Sequence, residues 1–177
     1  MPLSLYTVAV PPMIRGLKNL SAVLTKGENH ALANNIDPQT YLDARLHPDM
    51  AALPFQIYRL SDSAKFVPVR IASVSAPPFP DTEKTFPELQ TRIRKTIELL
   101  EGVDPAAFEG NEEKEVTVKA GPGEATFTAK DYLLYYAIPN FWFHVTAAYG
   151  ILRKEGVDVG KMDYLNGAGD VKFAKPN

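Results

Sequence analysis

Apolar residues recur at helical spacing in four separate stretches of the chain. In the first, Met13, Leu17, Leu20 and Leu24 draw one stripe, predicting a helix from about Leu3 to about Asn34. Pro11 and Pro12 fall in its first turns, where lost amide donors predict a bend or a restart. Asn34, Asn35, Asp37 and Pro38 mark a break, followed by a short helix over Gln39 to Leu46. The second stretch begins near Pro48 and carries Met50, Leu53, Ile57, Leu60, Ala64 and Val67. Gln56 borders that stripe, and Pro68 is expected to kink or end the helix. Ala76 to Pro80 then predicts an extended connection.

The third stretch has the clearest local signature. Thr85 and Glu88 form a capping box, Leu89, Ile93, Ile97 and Leu100 follow at helical spacing, and Gly102 ends the helix. The period then drops to two. Glu115–Lys119 and Ala125–Thr128 alternate around Gly121-Pro122-Gly123, which predicts a β-hairpin that must pack on something larger. Thr128 and Asp131 form a second capping box for the fourth helix, expected to run to about Lys154 and stop at Gly156. The expected architecture is all-α in the main: a four-helix bundle with a small β-hairpin inserted before the last long helix. The bundle domain is expected over 1–165, with 166–177 as a C-terminal tail. The long second connection leaves room for a crossover.

Composition narrows the function classes more than it selects one. With 177 residues, 45% of them hydrophobic and 23% charged, the chain suits one domain with a proper core. The net charge of -2, with both signs interspersed, argues against a nucleic-acid partner. No basic amphipathic segment marks a membrane surface, and the first residues do not read as a signal peptide. With no cysteine there is no disulfide, thiolate nucleophile or Cys-ligated metal. A cytoplasmic setting is the default expectation.

The candidate chemistry lies in the fourth helix. It is apolar almost all the way round, which predicts burial on most sides, yet it contains His144. Tyr136, Asn140 and His144 are four apart and share a face. Pro139 cannot donate to the Tyr135 carbonyl and opens that turn. One reading is an enzyme pocket facing Gln56 across the core, with His144 as proton shuttle and Tyr136 as the catalytic residues and Asn140 and Gln56 orienting a small molecule; the alternative is a non-catalytic small-molecule-binding or dimerisation bundle. The plainer reading is a buried network that only fixes helix register. No cofactor is expected, because metal sites need three or four ligands of fixed geometry and only His30, His47 and His144 are present. His47 with Asp49 reads as a cap for the second helix, and His30 as solvated. Tyr132, Tyr135, Tyr136, Phe141, Trp142, Phe143 and Tyr149 cover every face of the fourth helix, which predicts a homodimer.

The block PNFWFHVTAAYGILRKEGVDVGKMDYL resembles the closing segment of a branch of unknown function in the DinB/YfiT-like superfamily of helical bundles. HPDMAALPFQIYRLSDSAKF, LYTVAVPPMIRGLKNLSAVL and DPAAFEG resemble the family's second helix, first helix and pre-hairpin stretch. The resemblance implies a DinB-like four-helix bundle, commonly dimeric. It also implies a three-histidine metal site in typical members, one histidine on the second helix and two on the last long helix. The matching positions are Gln56, Asn140 and His144, so one histidine remains. Neutral amides are weak ligands, which leaves residual divalent metal at His144 as the less favoured outcome.

Overall fold

A computed structural model describes residues 3–121 and 123–172. The elements run α1 (Leu5–Ala33), α2 (Pro38–Asp43), α3 (Leu53–Ile71) and α4 (Phe86–Glu101), then a 3-10 turn (Pro105–Phe108). Strands β1 (Glu115–Ala120) and β2 (Gly123–Thr128) follow, then α5 (Ala129–Asp131), a π-helical stretch (Tyr132–Ala137), α6 (Ile138–Lys154) and α7 (Lys161–Asn166). The four long helices close a ring in the order α1, α4, α3, α6, so the fold is the mainly helical bundle with one hairpin. Leu17, Leu20, Leu24, Leu53, Ile57, Leu60, Leu89, Ile93 and Phe141 meet inside it. Full burial of each such side chain is worth ~1.5–3 kcal/mol.

Local chemistry sets the helix ends. Thr85 Oγ1 accepts from Glu88 N–H while Glu88 returns a bond to Thr85 N–H, the capping box expected of α4. At α5 only half of the expected box forms: the Thr128 side chain accepts from Asp131 N–H. Gly156 follows α6 with φ +90, a left-handed conformation that glycine adopts without cost. The hairpin pairs Val116 with Phe127 and Val118 with Ala125, and both valines are buried. Pro122 of the expected turn lies outside the described residues.

Several helix boundaries differ from expectation, each for a physical reason. Pro11 and Pro12 do not interrupt α1, which runs unbroken from its Ser4 cap. The second long helix starts at Leu53 rather than near Pro48, because Pro54 is the first-turn proline. Met50 is therefore in a turn, its N–H donating to the His47 carbonyl at 2.9 Å. The His47 ring bonds Asp49 in that exposed turn and caps nothing, and Ala52 precedes α3 without a side-chain cap. Pro68 is buried inside α3, which continues to Ile71. His30 is half-buried rather than solvated, with Nδ1 2.7 Å from the Tyr41 hydroxyl.

Two polar latches had no counterpart in the hydrophobic pattern. Arg92 has no side-chain exposure and binds Asp81 (3.0 Å), Glu83 (3.1 Å) and the Pro80 carbonyl (3.0 Å). It thereby fastens the 72–85 connection to α4. Asn19 donates to the Tyr164 carbonyl and accepts from Ala168 N–H, both at 3.1 Å, which docks α7 on α1. Among the described residues no helix is long and apolar enough to cross a membrane.

Candidate functional site

The site forms where α3 faces the π-helical stretch and the start of α6. Pro139 has no amide hydrogen, so a regular α-helix would leave the Tyr135 carbonyl without its donor four residues on. The chain widens instead. Tyr132–Ala137 is π-helical, and Ile138 N–H donates to the Leu133 carbonyl five residues back. Beside this bulge is a cavity of about 230 Å³, lined by Arg59, Ser63 and Arg70 of α3 and by Tyr136, Asn140 and His144, with Lys119 reaching it from β1.

Gln56 and His144 meet directly. His144 Nδ1 lies 2.8 Å from Gln56 Oε1, and Gln56 Nε2 donates to the Ala51 carbonyl at 2.8 Å. The second bond fixes the first. Turning the amide over would set two carbonyl oxygens against each other at Ala51. Gln56 must therefore present its oxygen to the ring, and Nδ1 must carry the hydrogen. Nε2 then holds a bare lone pair, the one polar atom His144 can offer the cavity. The residue is only 9% exposed. Burial, helped by the nearby Arg59 charge, pushes its pKa down to about 4. At neutral pH the ring is an uncharged acceptor.

Asn140 is on the same wall but does not touch His144. Its Nδ2 donates to Ser63 Oγ at 2.6 Å, and Ser63 in turn donates to the Arg59 carbonyl at 2.7 Å. Tyr136 is half-buried, with its ring stacked on Tyr132 at 6.0 Å between centroids. Burial raises the Tyr132 pKa, opposed by the Arg70 charge and by the bond Arg70 Nη1 donates to its hydroxyl at 2.8 Å. Arg59 pairs with Asp62 at 3.3 Å and with Asp81, and its guanidinium lies over Phe55.

The expected residues thus divide into two bonded pairs, Gln56 with His144 and Asn140 with Ser63, and Tyr136 completes the wall. Arg59, Ser63, Arg70 and Lys119 were not foreseen. The signal for three of them was present: Gln56, Arg59, Ser63 and Arg70 follow at intervals of three, four and seven, a polar stripe along α3. Lys119 comes from the hairpin, and no local pattern connects it to α3.

Residues 5–165 match the family described as Domain of unknown function (DUF1993). The chain belongs to that family. A DUF1993 member also sits close to a solved DinB protein: a crystal structure of a DinB family member protein from Shewanella denitrificans matches it with a TM-score of 0.87. The two are 35% identical, over 97% of this chain and 96% of that one. No curated protein matches the chain.

The residues Gln56, Asn140 and His144, as they are placed in this DUF1993 member, do not fit a metal. Gln56 Oε1 already accepts from His144, Asn140 turns its NH2 to Ser63, and Arg59 puts positive charge beside the ring. Of the three positions only His144 supplies a nitrogen lone pair, on Nε2, beside weak neutral oxygens, where three or four ligands are needed. Among the described residues no three His, Cys, Asp or Glu side chains are grouped to hold a metal ion.

Proposed function

We propose that the cavity between α3 and α6 is the working site of an enzyme that takes a proton from a small molecule, with His144 Nε2 as the acceptor. The observation that supports this most is the Gln56 clamp. A register-fixing network would gain nothing from holding one tautomer with its lone pair toward a cavity, whereas a general base requires that. Asn140 and the Tyr136 hydroxyl are placed to orient the substrate, and Gln56 positions the ring. The cavity, about 230 Å³ against the ~300–1,000 Å³ of drug-sized pockets, suits a small substrate group. His144→Gln should remove turnover, screened by NMR over a panel of small metabolites, while leaving the melting temperature at pH 7 within a few degrees. Turnover that survives in this variant would refute the assignment.

The low basicity of His144 favours a second reading, in which the same atoms bind a ligand without transforming it. A small molecule that raises the melting temperature of wild type but is returned unchanged would support that reading. We also infer that a second copy of the chain covers the apolar side chains around Phe143, which is 57% exposed beside Leu46 and Met50. Sedimentation should show a dimer that Phe143→Glu dissociates; a wild-type monomer at micromolar concentration would refute it.

A further inference from the structure

Among the described residues, two cations of the cavity, Arg70 and Lys119, have no carboxylate within salt-bridge distance; Glu124 is the cross-strand neighbour of Lys119 but does not pair with it. Arg70 spends one N–H on the Tyr132 hydroxyl, and its guanidinium lies 4.6 Å from the Phe66 ring centre and 5.3 Å from that of Tyr132. Among the described residues no carboxylate pairs with it, and none pairs with Lys119 across the cavity. Asp62, the carboxylate in the lining, is shared among Arg59 (3.3 Å), Lys65 (3.3 Å) and Arg92 (3.4 Å). Arg59 is further occupied by Asp81.

The half-buried Arg70 guanidinium has lost part of its hydration without gaining an anionic partner, and a concave wall concentrates its field. Beyond the Arg59–Asp62 pair, the rest of the polar lining includes the neutral Asn140 amide, Tyr136 hydroxyl and His144 ring. The lining therefore asks for an anion and a hydrogen-bonding group in one molecule. Arg70 retains further N–H donors, the arrangement that grips a two-oxygen anion, and Lys119 adds a point charge.

We infer that the cavity accepts a small organic acid, its oxyanion held by Arg70 and Lys119 and its O–H or N–H group directed at His144. This rests on the proposed role of the cavity and names its ligand class. A carboxylate and a phosphate monoester present the same oxyanion chemistry to these donors.

The test uses the intact protein and three small hydroxylated probes: lactate, lactamide and 2-hydroxyethyl phosphate. Binding is followed through the His144 ring resonances and the melting temperature at low ionic strength. Lactate or 2-hydroxyethyl phosphate should shift the ring signals and raise the melting temperature, the stronger of the two identifying the oxyanion, with lactamide inert. The exposed Lys119→Gln should fold normally and weaken the acid by up to about fivefold. Arg70→Gln should weaken it by about tenfold or more. If lactamide moves His144 as far as lactate does, the cavity still binds small molecules but the anion inference is overturned. If the acid binds equally well to both variants, it is also overturned. If none of the three reaches His144, the cavity assignment fails with it.

Discussion

Acid should destabilise this protein through His144 before its carboxylates titrate. The ring has a folded pKa of about 4 against an ordinary 6.5. Between those values the unfolded chain binds a proton that the native state refuses. Stability is then fully present above pH 6.5 and is lost as pH falls toward 4. For a shift of that size the loss between pH 7 and pH 5 is about 2 kcal/mol. Glu88 and Asp163 have lowered pKa values too. Backbone and side-chain bonds at the α4 cap act on Glu88, and Lys26 with the Gly160 amide acts on Asp163. Their contributions fade only below ordinary values of 4.5 and 3.8, so the window from pH 7 to pH 5 isolates the histidine. Urea unfolding at both pH values, on wild type and His144→Gln, measures the effect. Wild type should lose about 2 kcal/mol more than the variant over that interval. Parallel losses would refute the description of His144 as a desolvated, neutral ring.

Three other perturbations have defined outcomes. Gln56→Leu strips His144 Nδ1 and the Ala51 carbonyl of their partners and should cost about 1–3 kcal/mol in urea unfolding; no change would mean that water replaces the amide freely. Arg92→Met breaks a buried ion cluster and should cost about 3–5 kcal/mol, with faster hydrogen exchange over 72–85; unchanged exchange there would refute the latch. Gly16→Ala sets a Cβ 2.9 Å from both Phe141 and Trp142, where α1 meets α6, and should cost about 1–3 kcal/mol by the same assay; a neutral result would show that those rings yield.

The elements that the sequence made legible are those whose determinants are local. The α4 capping box, the stripe from Leu53 to Val67 and the alternation of Glu115–Lys119 each lie within one element, and each appears as expected. The misreadings arose where tertiary packing overrode a local signal. Pro68 sits inside α3 because the buried face of that helix extends to Ile71. α7 was missed because its six residues are held by Asn19 from the far end of the chain. The candidate site shows the same division. Helical spacing singled out Tyr136, Asn140 and His144, and a place beside an apolar stripe singled out Gln56, as candidates. Arg70 and Lys119 gain meaning only once the hairpin is folded against α3 and the π-helical turn.

The tautomer of His144 at pH 7 bears most directly on the site, and long-range proton–nitrogen correlation NMR reads it, with His144→Gln to assign the signals. A neutral ring with its hydrogen on Nδ1 and a bare Nε2 is the predicted result. A hydrogen on Nε2, or a charged ring at that pH, would contradict the clamp by Gln56 and remove the proton acceptor on which the proposed function depends.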